Sequence, residues 1–94
     1  MKRIKAAIIG MGYIGVSHIE AIRRIGFAEL AAVADVNGEL ARKKASEHFI
    51  PKCYNTVEAL LADDEIEVVH NCTPNNLHLE INEKIIRVGK HIFS

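Results

Sequence analysis

The chain has 94 residues, 49% of them hydrophobic and 26% charged, which suits a single domain and leaves no room for a second. A domain of this size hides roughly 60–70% of its unfolded surface, enough to build a core. Twelve Lys and Arg balance twelve Asp and Glu, so the chain lacks the charge footprint of a nucleic-acid binder or a basic membrane arm.

Ile4–Ile9 is a nearly continuous apolar run stopped by glycines, the pattern of a strand buried on both faces. From Tyr13 the period becomes helical: Ile14, His18, Ala21 and Ile25 recur at steps of four, three and four. Gly26 is expected to stop this helix in the left-handed conformation. Leu30–Ala34 reads as a second strand closed by Asp35. Asn37 can cap a helix whose Ala41, Ala45 and Phe49 share a face, with Pro51 ending it. Lys52–Tyr54 makes a short third strand. Thr56 caps a brief helix through Leu61, with Glu58 favourably placed in its first turn. Ile66–Asn71 is the fourth strand. Asn75 or Asn76 opens a helix with Leu77, Ile81, Ile85 and Val88 on one face, Gly89 ends it, and His91–Phe93 begins a fifth strand.

Strands separated by helical segments imply right-handed crossovers and a mainly parallel sheet. The expected fold is α/β, a doubly wound sheet of order 3-2-1-4-5 with helices on both faces. Its switch point lies between the first and fourth strands, where ligands sit in such sheets.

The sharpest motif occupies the first turn: Gly10-Met11-Gly12-Tyr13-Ile14-Gly15, a G-x-G-x-x-G between a strand and a helix. Gly10 allows the tight turn, Gly12 lets a pyrophosphate approach the backbone, and Gly15 lets helix and strand pack closely. Free N–H groups at the helix start then face the phosphates, aided by the helix dipole. Asp35 follows Gly15 by twenty residues, the place for a carboxylate that accepts from the adenosine ribose hydroxyls. A 2′-phosphate would meet that negative charge, and Val36 and Asn37 bring no cation. NAD is therefore expected over NADP. The bland alternative is a glycine turn needed only for packing.

Thr73-Pro74-Asn75 emerges from the fourth strand at the switch point. Spacing alone leaves two readings open: polar contacts to the ribose and nicotinamide side, or a turn in which Pro sets φ and Asn caps the helix. His18 reads as a hydrogen-bonded structural histidine, His78 lies near the predicted cleft, and His48, His70 and His91 show no partner spacing. Cys53 and Cys72 form no C-x-x-C pair, so neither a zinc site nor a disulfide framework is expected. Aromatic content of 5% without Trp argues against base stacking. No apolar run approaches the ~18 residues of a membrane span. The basic start Met1-Lys2-Arg3 has no signal-peptide cleavage site after it; a cytoplasmic chain is expected.

Together these residues resemble the N-terminal half of the glucose–fructose oxidoreductase, inositol dehydrogenase and MocA family. The resemblance spans essentially the whole chain and rests on Ile9 through Gly15 with His18, on Ala34-Asp35-Val36, on Cys72-Thr73-Pro74-Asn75-Asn76-Leu77-His78, and on Gly89-Lys90-His91-Ile92-Phe93. It implies a Rossmann-like fold and hydride transfer between NAD(P) and a sugar, cyclitol or related alcohol. It also implies that Thr73, Pro74 and Asn75 touch the cofactor and that His78 is the motif histidine, without assigning its role. The family's Glu-Lys-Pro segment and large α+β substrate domain do not occur in these residues, which favours part of a longer enzyme, inactive by itself, over a stand-alone NAD(H)-sensing module. A methyltransferase-type sheet is disfavoured, because Ile8 and Ile9 stand where such domains carry an acid. The candidate cofactor set is Gly10, Met11, Gly12, Tyr13, Ile14, Gly15, Asp35, Val36, Thr73, Pro74, Asn75 and His78; no catalytic residue or metal ligand is assigned. A short fifth strand at the sheet edge leads to an expectation of self-association, most simply a two-fold dimer.

Overall fold

The computed structural model describes residues 3–10, 13–35 and 37–93, and of residues 13–16 and 75 the backbone alone. The elements are β1 (Ile4–Ile9), α1 (Tyr13–Arg24), β2 (Ala28–Ala34), α2 (Gly38–Glu47), β3 (Lys52–Tyr54), α3 (Val57–Leu61), β4 (Val68–Asn71), α4 (Asn75–Arg87) and β5 (His91–Phe93). The five strands form one sheet of order β3-β2-β1-β4-β5, and every pairing is parallel.

The apolar run of β1 is explained by two cores. Ala6 and Ile8 face one side, with Ile19 and Ile22 of α1 and Ala41 and Ala45 of α2. Ala7 and Ile9 face the other, with Leu60 of α3 and Ile81 and Ile85 of α4. A strand covered on both faces has no polar side to show, so its sequence loses the alternation of a half-exposed strand. A register shift falls between Ala6 and Ala7 against β2. The irregularity accompanies Ala31 and Ala32 sharing one core where strict alternation would separate them.

Several boundaries differ from expectation. β2 begins at Ala28, because that residue pairs with Ile4. β4 begins at Val68; Ile66 is buried at 2% exposure, but its N–H donates to the Asp63 carbonyl in a turn. Gly26 is not left-handed: α1 closes through Ile25 N–H to Ile22 O and Ala28 N–H to Ile25 O, which demand no positive φ. Ile25 and Val88 fall past the ends of their helices and are exposed.

Phe49 is the largest departure. Spacing places it on the buried face of α2, yet it is 87% exposed with φ of +56°. Ile50 N–H bonds Ala45 O at 2.8 Å and Phe49 N–H bonds Ser46 O at 3.4 Å. That pair of bonds is the Schellman stop, with phenylalanine in the left-handed place usually held by glycine. Ile50, 6% exposed, takes the core position instead. α4 ends in the same way with Gly89 at φ +79°. The caps behave as read: Asn37 accepts from Leu40 N–H and Thr56 from Ala59 N–H.

Candidate functional site

The register places three strand ends side by side. Ile9 is level with Ala34 of β2 and with Asn71 of β4, so the residues that follow each strand meet at the switch point. Gly10 N–H donates to Ala34 O at 2.8 Å, and Cys72 N–H donates to Ile9 O at 2.8 Å. Gly10 has φ of +94°, and a Cβ there would lie 2.8 Å from the Cys72 carbonyl oxygen. The glycine is therefore required twice, for its conformation and for the close passage of the β4 exit.

Asp35 directly follows β2 at 9% exposure. Its Oδ1 accepts from Asn37 N–H at 2.9 Å, which holds the carboxylate at the entrance to α2. A carboxylate accepts up to about four hydrogen bonds, so this turn contact and a role toward ribose hydroxyls are compatible. Helix composition fits an anion at the same edge. Of the four helices among the described residues, α2 and α3 carry Glu39 and Glu58 in their first turns, whereas α1 and α4 carry no acid there. The two helices that follow the switch-point strands thus keep their positive dipole ends uncompensated by a local carboxylate.

On the β4 side, Pro74 takes the N-cap place of α4 with no side-chain cap bond, so the helix opens at Asn75 without an asparagine cap. Thr73 is half-buried, and its hydroxyl donates to Asn71 Oδ1 at 2.6 Å. His78 lies in the first turn of α4, and its carbonyl accepts from Asn71 Nδ2 at 3.1 Å. Met11, Gly12 and Val36 lie outside the described residues, and the side chains of Tyr13, Ile14 and Asn75 are likewise undescribed. The structure thus brings Gly10, Asp35, Thr73, Pro74 and His78 to one edge of the sheet.

Two residues escaped the motif reading. Asn71, 2% exposed, organises the turn after β4. His70 is buried and lies with its Nδ1 3.0 Å from His18 Nδ1, across the face of α1. Two imidazole nitrogens this close share a single proton. Burial first, and His18 second, hold the His70 pKa down to about 4. The partner of His18 lies 52 residues away, beyond any local spacing. The readable signal was a pair of polar residues inside a strand otherwise buried. Burial pushes the Cys72 thiol up to about 11, so it is no nucleophile at neutral pH. Among the described residues, no group of three or more His, Cys, Asp or Glu could hold a metal ion, and no helix is long and apolar enough to cross a membrane.

A parallel sheet with its glycine turn at the switch point and an acid after the second strand defines a dinucleotide-binding α/β fold. A family model described as an oxidoreductase family with an NAD-binding Rossmann fold matches residues 4–94. The chain belongs to this family, that of glucose–fructose oxidoreductase, inositol dehydrogenase and MocA. It is 29% identical over 90 residues to myo-inositol 2-dehydrogenase of Thermotoga maritima, covering 96% of this chain and 27% of that protein. It is 34% identical over 85 residues to D-xylose 1-dehydrogenase (NADP(+)) 2 of Haloferax volcanii, covering 90% of this chain and 26% of that protein. An NAD binding oxidoreductase from Klebsiella pneumoniae superposes with a TM-score of 0.89 at 30% identity, over 96% of this chain and 26% of that one. The chain thus spans about a quarter of the length of the relatives it matches.

Proposed function

We propose that residues 1–94 are the dinucleotide-binding domain of an oxidoreductase that moves hydride between NAD and a sugar, cyclitol or related alcohol. The observation that carries this reading is the convergence of Gly10, Asp35 and Thr73 at the ends of β1, β2 and β4. In this assignment the backbone of Gly10, Met11, Gly12, Tyr13, Ile14 and Gly15 holds the pyrophosphate. Asp35 and Val36 hold the adenosine ribose. Thr73, Pro74, Asn75 and His78 line the nicotinamide side. The bound cofactor supplies the hydride-accepting ring; these residues bind and orient it. The catalytic groups of the whole enzyme are not assigned within this chain.

NAD is preferred to NADP in this reading because the Asp35 carboxylate stands where a 2′-phosphate would go, and like charges at short range repel. The relative in Haloferax volcanii whose name specifies NADP makes the preference a question for this chain's own residues. Titration calorimetry of the chain with NADH and with NADPH tests it: tighter NADH binding is expected, equal affinity removes the discrimination from Asp35, and no binding of either refutes the reading.

The reading places the protein in the cytoplasm and includes self-association. Ile4, Ile25, Phe27 and Phe93 are exposed around an apolar groove of about 460 Å³ between α1 and the β1-β4-β5 side of the sheet. Large apolar patches of this kind mark contact surfaces. Light scattering on a sizing column checks it, and a monomer mass at high concentration refutes it.

A further inference from the structure

Asn71 closes β4 with its side chain almost fully buried, and every hydrogen-bonding valence it has is used. Its Nδ2 donates to the His78 carbonyl at 3.1 Å and to Asn82 Oδ1 at 2.8 Å. Its Oδ1 accepts from the Thr73 backbone N–H at 3.2 Å and from the Thr73 hydroxyl at 2.6 Å. Two of these partners fix which end of the amide is which: a backbone carbonyl only accepts, and a backbone N–H only donates. The amide oxygen must face Thr73. An amide oxygen cannot donate, so the Thr73 hydroxyl gives its one proton to Asn71. What remains at Thr73 Oγ1 is acceptor capacity alone.

We propose that Asn71 is a positioning residue that presents Thr73 to the dinucleotide as a hydrogen-bond acceptor only, so this point of the crevice selects a ligand O–H or N–H and rejects a phosphate oxygen. The inference rests on the dinucleotide reading and deepens it. A ribose hydroxyl or a carboxamide N–H satisfies the requirement; an anionic oxygen would meet a lone pair with no proton between them. Two of these bonds tie the end of β4 to the first and second turns of α4 and the other two hold Thr73, so the Thr73–Pro74 turn is set before any ligand arrives and its ordering cost is already met.

The test is calorimetric titration of NAD+ into the 94-residue chain and its Asn71→Asp and Thr73→Val variants between pH 5.5 and 8. At pH 8 the carboxylate that Asn71→Asp introduces has no proton to donate to the His78 carbonyl, so the turn that presents Thr73 is no longer held, and misplacing its one ligand bond should weaken binding about tenfold. Burial raises a carboxyl pKa, so acidification returns the donor, and the gap to wild type should close to within about threefold at pH 5.5. The side chains bonded to Asn71 are neutral, Thr73 from its own strand end and Asn82 from α4. His78 is the ionisable residue beside them, so the Asn71→Asp comparison is repeated on a His78→Asn background, which removes it. Thr73→Val keeps the shape and deletes the acceptor, and should weaken NAD+ about tenfold at every pH. An Asn71→Asp gap that is absent at pH 8, or constant across the range, overturns the positioning role. Unchanged affinity in Thr73→Val overturns the acceptor assignment, and does so even if Asn71→Asp fails to fold. Wild-type chain that binds no NAD+ instead refutes the dinucleotide reading, and this inference with it.

Discussion

Three glycines provide a graded test of how the crevice is built. A Cβ added at Gly10 would stand 2.8 Å from Cys72 O, 2.9 Å from Cys72 C and 3.0 Å from Thr73 N, at φ of +94°. All three atoms are backbone, in a segment whose Cys72 N–H is held by Ile9 O, so none can swing aside. Gly10→Ala therefore carries a positive-φ cost of roughly 1–2 kcal/mol and an overpacking cost of roughly 1–3 kcal/mol. Their sum, roughly 2–5 kcal/mol, is a large part of the roughly 5–14 kcal/mol available to a domain of this length. Gly89 has φ of +79° with nothing within 4 Å of its added Cβ, so Gly89→Ala isolates the conformational cost. Gly26 lies outside the left-handed region with nothing within 4 Å, and Gly26→Ala should be neutral or stabilising by about 0.4–1 kcal/mol.

Urea unfolding reads the series directly. With slopes of about 1–3 kcal/mol/M, Gly10→Ala should lower the midpoint by about 0.7–5 M, and Gly89→Ala by less than that. A Gly10→Ala midpoint equal to that of Gly89→Ala would show that the β4 exit does not press on the turn. Because the clash falls on the crevice wall, Gly10→Ala should also lose NADH binding under conditions where it remains folded, while Gly89→Ala should retain it.

Three further expectations follow from single residues. Asp35→Asn keeps the acceptor for Asn37 N–H and removes the charge, so the NADPH-to-NADH affinity ratio should rise about tenfold or more; an unchanged ratio would sink the charge argument. Phe49→Gly should raise stability by about 1 kcal/mol, seen as a higher urea midpoint, because the side chain is exposed and its φ of +56° suits glycine; a lower midpoint would mean that the phenyl ring has a contact stronger than the strain. The unfolded His70 imidazole takes up a proton near its ordinary 6.5, whereas the folded one resists until about 4. The unfolded state therefore binds more protons between those values, and stability should fall as pH drops from about 6.5 to about 4; comparison of urea midpoints with His70→Val, which should flatten that slope, checks the assignment.

The fold was legible because its information is local. Apolar runs without alternation at Ile4–Ile9 and Leu30–Ala34 mark strands buried on both faces, and Asn37 and Thr56 mark helix starts through bonds that span three residues. Misreadings arise where a local rule is carried past the element's end. Phe49 continues the spacing of Ala41 and Ala45, but the helix has already closed, and one residue in the left-handed region sends Ile50 inward in its place. Gly26 shows the reverse error: a glycine after a helix permits a left-handed stop without compelling it, and here the i to i+3 bonds at Ile25 and Ala28 finish the turn.

At the candidate site, the glycine turn and Asp35 stand out in the sequence because they form a motif of fixed spacing on one continuous stretch of chain. Asn71 and His70 obey no such spacing, since their partners are set by how α1 and α4 lie on the sheet. Yet the sequence does contain a sign of them. The run Ile66–Asn71 reads as a strand between two cores, and a buried polar side chain there costs a few kcal/mol unless its hydrogen bonds are met. His70 and Asn71 therefore had to find partners, one on each face, because adjacent strand residues point to opposite sides. His70 finds His18 on the α1 side, and Asn71 finds His78 and Asn82 on the α4 side. The polar end of β4 thus fastens both switch-point helices to the strand, and whatever binds between those helices meets a wall already fixed from both sides.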